Sequence, residues 1–352
     1  MLQQKSARAW RVFLIFPAVL LTSCLLPNND EVVLSRASTN SLEPEFNIPD
    51  PCESASLTTI PAQLSATCMF YDAANQLVNP YMLSYSPQYP LWSDSAAKGR
   101  FIYLPKGTQI DTSDMENWVF PVGTRIWKEF VRNGLRVETR LMVKIATGNG
   151  VASWSFNTYQ WRGDGRDADS VTAGATNVRG TPHDIPAAAQ CATCHQGARD
   201  VVLGFDVLQL AQNRTDGQVT NDWLASRALV TNVAPGSVAI QGSASAKAAF
   251  GYMHANCSHC HNPLGIMPGI VLKHNLSATS MATENAYLAL VPTNRVTPDS
   301  PATSRPIIRM MDRTLNLPPT TTRETFGMPP IATEIIDPAG IQAVTDWINN
   351  DI

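Results

Sequence analysis

Val137-Glu138-Thr139-Arg140-Leu141-Met142-Val143-Lys144 alternates along its length. In an extended chain Val137, Thr139, Leu141 and Val143 point to one side, and Glu138, Arg140 and Lys144 to the other, the period-two pattern of a half-buried strand. The runs around it are of the same kind. Phe101 to Leu104, Trp118 to Phe120, Thr124 to Val131 and Ser153 to Trp161 are aromatic and β-branched, with Gly, Asn and Asp between them. These runs predict an antiparallel sheet or a small sandwich. The charged side of the Val137–Lys144 strand is expected to face solvent, and a binding site there is the rival reading. Trp127, Trp154 and Trp161 are expected in the core rather than stacked on a sugar. The chain shows no nucleophile–base constellation and no phosphate loop. Upstream, residues 52–90 are rich in Pro, Tyr and Ser and predict loops with little regular structure.

The N-terminus points to export. Lys5, Arg8 and Arg11 precede the apolar run Val12 to Leu21, which is too short for a stable transmembrane helix and suits a signal peptide. Leu21-Thr22-Ser23-Cys24 resembles the lipobox of bacterial lipoproteins, which implies lipidation of Cys24 after removal of residues 1–23. Leu25 and Leu26, with no aspartate beside the cysteine, resemble the sorting pattern for an outer membrane, so the chain is expected to be lipid-anchored there and to face the periplasm. The polar residues 24–51 read as a flexible tether. Loss of residues 1–23 removes three cations and no acid, so the formal charge of −3 becomes −6. A mildly acidic globule carries no electrostatic footprint for nucleic acid.

Seven cysteines occur, an odd number for an exported chain. Lipidation uses Cys24. Cys191-Ala192-Thr193-Cys194-His195 and Cys257-Ser258-His259-Cys260-His261 are both C-x-x-C-H, the attachment pattern of c-type haem. Residues i, i+3 and i+4 share one helix face. Two thiols one turn apart therefore suit the two vinyl groups of a porphyrin, and the next histidine points at the iron. Two covalent haems are expected, with His195 and His261 as proximal ligands. Zinc held by the two C-x-x-C pairs is the rival. Cys52 and Cys68 remain and can form one disulfide.

Residues 243–352 read as a class I cytochrome c-like unit. An alanine-rich helix ending Phe250-Gly251-Tyr252 precedes the second motif, its glycine letting the terminal helices cross closely. Ser304 to Arg309 follows, then Thr325-Phe326-Gly327-Met328-Pro329-Pro330, with Met328 as candidate sixth ligand. Met267 is the competitor. Asp337 is placed to cap a last helix and Pro338 suits its first turn, with Ile341, Val344, Trp347 and Ile348 at helical spacing. The first haem segment, residues 176–242, has no methionine of its own. Its sixth ligand is His183, His254, a distant methionine, or none. His254 is more simply a packing residue, His259 a solvated one, and His274 has no evident context. Leu203 to Leu210 is expected to cover a haem edge.

Tyr89-Pro90-Leu91-Trp92-Ser93-Asp94 with Lys98 and Arg100, Phe120 to Phe130, Glu138 to Leu141, Thr158 to Trp161 and the two haem segments together resemble a family of exported bacterial di-haem c-type cytochromes. The resemblance covers roughly residues 57–352. It implies an α+β multidomain chain, with an antiparallel β-rich domain (residues 52–175) followed by a mainly α-helical cytochrome c-like haem region. It implies haem attachment at Cys191, Cys194, Cys257 and Cys260, proximal ligation at His195 and His261, and electron transfer with a redox partner protein or a small-molecule donor or acceptor. A di-haem peroxidase-like or small-molecule oxidoreductase, its first haem catalytic, is the alternative.

Overall fold

The structure is a computed structural model that describes residues 49–56, 58–232, 238–312, 327–331 and 333–352. The expected signal peptide, Cys24 and nearly all of the expected tether lie outside the described residues. A short hairpin, β1 (Phe70–Asp72) and β2 (Leu77–Val78), precedes β3 (Leu83–Ser84), β4 (Ala97–Tyr103), β5 (Arg125–Arg132), β6 (Leu135–Lys144), β7 (Trp154–Trp161) and β8 (Ala168–Ser170). The last six form one antiparallel sheet in chain order, each strand paired with the next. The arrangement is a single meander rather than a sandwich. Trp118 to Phe120 is not a strand of it; Val119 makes only an isolated bridge to Asp111.

The two faces of the sheet carry different cores. Phe101, Tyr103, Trp127, Leu141, Tyr159 and Trp161 pack on one side with Leu64, Met69 and the Cys52–Cys68 disulfide. On the other, Ile102, Ile126 and Met142 pack with Trp118, Phe120, Trp154 and a set from after the first C-x-x-C-H motif: Val201, Phe205, Val207 and Leu210. Trp127, Trp154 and Trp161 are all buried, as is Trp118. Leu203 to Leu210 thus covers the sheet.

The expectation of a solvated charged face is wrong. Glu138 and Lys144 are 0% and 1% exposed. Alternation tells which residues share a face, but not whether another segment lies over it. Here residues 176–230 do. Asp200 secures the cover. Its carboxylate pairs with the Lys144 ammonium and accepts from Trp154 Nε1 at 2.8 Å and the Phe120 amide at 2.8 Å.

The helices follow: α1 (Cys191–His195), α2 (Asn221–Ser226), α3 (Ala244–Asn256), α4 (Asn285–Leu290), α5 (Arg305–Met311) and α6 (Pro338–Asp351). Ser243 caps α3 and Asp337 caps α6, the latter accepting from the Ala339 and Gly340 amides at 3.1 Å. Helices α3 and α6 cross with Phe250 edge-on to Trp347, centroids 5.0 Å apart, and Val344, Trp347 and Ile348 fully buried. The glycine at their crossing is not Gly251. A Cβ on Gly251 would lie 2.0 Å from the Tyr89 ring, so that glycine admits a side chain from the N-terminal part. The α6 glycine, Gly340, faces the Tyr252 ring at 2.2 Å by the same measure. Among the described residues no helix is long and apolar enough to cross a membrane.

Candidate haem site

The first C-x-x-C-H motif is the single helical turn α1, entered from a 3-10 turn at Ala188–Gln190. Cys191, Cys194 and His195 line a cavity of about 240 Å³. Its opposite wall is the sheet face that carries Arg100, Lys128 and Arg140, and its rim includes His259 and Cys260 of the second motif.

His195 has the features of a metal-ligating imidazole. Its Nδ1 donates to the Val201 carbonyl at 2.6 Å, which leaves the Nε2 lone pair for an iron. The ring stands edge-on to Phe156, centroids 5.3 Å apart. Burial pushes its pKa down to about 4, so the ring is neutral and able to coordinate. Two cysteines one turn apart, a neutral histidine with a fixed tautomer, and an adjoining cavity fit a covalently held haem. The Val201 carbonyl is a contributor that motif reading missed, because nothing in C-x-x-C-H names the acceptor.

The two motifs touch. A Cβ on Gly197 would sit 1.8 Å from the His259 carbonyl oxygen, so only glycine permits this approach. Cys194, His259 and Cys260 bring one ligand atom each within 4.8 Å of one another. A hydrogen bond from Cys260, opposed by burial and aided by His259, pulls the Cys194 thiol down; the same bond and burial push Cys260 up. Burial pushes Cys257 up to about 12. His259 is therefore half-buried within a sulfur cluster, not the solvated residue expected.

The remaining candidates are placed as follows. His183 is buried, its ring tilted against Phe130 at 5.2 Å, and its Nε2 donates to Glu138 at 2.8 Å. Only Nδ1 is left for an iron. Glu138 also takes Arg140 through two nitrogens, at 2.5 and 2.9 Å. Burial would raise the Glu138 carboxyl, but Arg140 and His183 hold it below its ordinary value. His254 has both nitrogens engaged: Nδ1 accepts from the His274 amide at 3.1 Å and Nε2 faces Asp206 at 3.4 Å. It ties α3 to the first haem segment. His274 is buried on Glu284 at 3.0 Å. His261 has a buried Nδ1 with no hydrogen-bond partner, and burial, then His259 and Arg295, lowers its pKa. Met328 is half-buried, and its amide donates to the Arg309 carbonyl at the end of α5 at 2.9 Å. Pro329 and Pro330, just after it, line the cavity; Thr325 and Phe326 lie outside the described residues. Arg100 and Lys128 were not singled out as site residues by sequence reading, although strand alternation puts both on the Arg140 side. Comparison of the chain with family models, with curated proteins and with solved structures finds no match to any of the three.

Proposed function

We propose that this chain is an exported, lipid-anchored di-haem c-type cytochrome that carries electrons at the periplasmic side of the outer membrane. The observation that carries the reading is His195, neutral, fixed through Nδ1 to Val201 and one residue beyond two cavity-lining cysteines. A bound haem supplies an iron that accepts and releases one electron. Cys191 and Cys194 hold the first haem and His195 ligates it. Cys257 and Cys260 hold the second, with His261 proximal and Met328 as sixth ligand; α3, the motif, Met328 and α6 follow one another in the order of a class I cytochrome c unit. The contact of Gly197 with His259 supports close haems and electron exchange between them. Cys24 supplies the membrane anchor, and the partner is a redox protein or a small-molecule donor or acceptor.

Two other readings have support. The Cys194–His259–Cys260 group favours a soft metal such as zinc. The hydrogen bond that occupies His183 Nε2 favours a first iron without a histidine sixth ligand, hence the di-haem oxidoreductase. One experiment separates all three: the absorption spectrum of the mature protein, made in a host with c-haem machinery, oxidised, reduced, and reduced under carbon monoxide. Two c-type haems unaffected by carbon monoxide support the carrier. A shift in half the signal supports the enzyme. Absence of any c-type band sinks both and leaves zinc.

A further inference from the structure

The cavity wall contributed by the sheet has two rows. Arg100, Lys128, Arg140 and Thr158 stand side by side on β4, β5, β6 and β7, each in register with the next. The next row, about 7 Å along the strands, is Ile102, Ile126, Met142 and Phe156, in the same register and apolar throughout. Phe156 is the residue that packs on the His195 ring. An apolar strip thus lies beside the candidate proximal ligand, and a cationic strip lies beside the apolar one.

Like charges directly opposite on paired strands repel. This row places three cations on three consecutive strands, in a wall that is largely shut from solvent. Glu138 answers Arg140. The strongest charges acting on Lys128 are nonetheless three cations, Arg100, Arg140 and Lys98, with Glu138 the one opposing acid among them. Its ammonium rests over the Phe130 ring at 5.0 Å. A flat apolar ligand with carboxylates along one edge matches this wall.

We propose that Arg100, Lys128 and Arg140 form a carboxylate-binding row, and that it takes the propionate edge of the first haem. The proposal rests on the di-haem reading. The shared chemistry is a carboxylate or similar oxyanion; its other source is a free small anion in the same cavity.

The test is spectropotentiometry of the intact holoprotein, wild type against Lys128→Met, Lys128→Arg and Arg100→Gln. The first haem is identified as the one missing from a Cys191→Ala/Cys194→Ala chain. Loss of a cation leaves the propionate carboxylate less compensated, which favours the ferric haem, one positive charge richer, over the ferrous haem. Lys128→Met and Arg100→Gln should therefore move the first midpoint potential downward and leave the second in place, and Lys128→Arg should restore it. Unchanged potentials in chains that carry both haems overturn the row and leave the functional reading standing. A chain with no haem on Cys191 and Cys194 removes both. In a second arm, sodium acetate and inorganic phosphate are titrated into the wild type. No saturable change in the first-haem spectrum is expected; a saturable change that Lys128→Met abolishes assigns the row to a free anion and overturns the propionate.

Discussion

Glu129 is the residue of the sheet least suited to its place. It is on the face that carries Trp127 and Leu141, is 0% exposed, and neither carboxylate oxygen has a hydrogen-bond partner. Arg136, 3.9 Å away, is too distant for a close pair. Burial raises its pKa to about 7, with Arg136 opposing. A carboxyl whose folded pKa is raised stabilises the fold when protonated. That contribution is full below about pH 4.5 and is lost as the pH rises through about 7. The span corresponds to roughly 3 kcal/mol. Glu129→Gln should therefore raise the unfolding free energy measured by urea titration at pH 8, by up to that amount, and change it little at pH 4.5. Equal shifts at both pH values would show that packing, not ionisation, is responsible. A second residue-scale expectation concerns the disulfide. Cys52 and Cys68 close a loop of sequence separation 16, and replacing both by alanine should cost about 3 kcal/mol in the same measurement.

At the scale of elements, the close approach of α3 and α6 rests on a missing Cβ. Alanine at Gly340 gains up to about 1 kcal/mol of helix propensity but drives a methyl to 2.2 Å from Tyr252. Overpacking typically costs about 1–3 kcal/mol, so Gly340→Ala should destabilise on balance. The double variant Gly340→Ala/Tyr252→Ala should be no less stable than Tyr252→Ala alone, because the clash is gone; a full additive loss would place the defect elsewhere. The same elements show how far the sequence was legible. Asp337 and Pro338 marked the start of α6 because caps and first-turn prolines act locally. The period of two assigned the faces of β6 correctly from Glu138 onward for the same reason, but a register shift beside Phe130 breaks it at Val137, which packs with Phe130 and Ile185 rather than with Leu141 and Val143. Gly251 was read as the crossing point of the terminal helices; it is a close approach, but to Tyr89, which is remote in the chain, and no spacing rule reaches that far. Glu138 and Lys144 were read as solvated because a covering segment leaves no trace in the strand it covers. The Trp118–Phe120 run was read as a strand on its aromatic and β-branched residues, and burial against Phe205 explains those residues equally well.

At the scale of the molecule, the sheet and the segment that carries Cys191–His195 are fastened together at Asp200. It lies five residues after His195, and one carboxylate holds Lys144 at the end of β6, Trp154 at the start of β7 and the Phe120 amide in the segment between β4 and β5. The tie is short of solvent on both sides, with the Lys144 and Asp200 side chains 1% and 0% exposed. Removing one member of such a pair strands the other charge in the interior, at a cost of about 3–5 kcal/mol. Asp200→Ala should reach that range. Asp200→Asn keeps one acceptor oxygen for Trp154 or Lys144 and should fall short of it. The Val201 carbonyl that fixes the His195 tautomer is the next residue in the chain, so the two variants also test whether the sheet positions the histidine. If it does, Asp200→Asn, still folded by circular dichroism, should alter the spectrum of the first haem and spare the second. A variant that is destabilised yet leaves both haem spectra at their wild-type positions would separate the tie from the site, and Asp200 would then be a fastening of the fold alone.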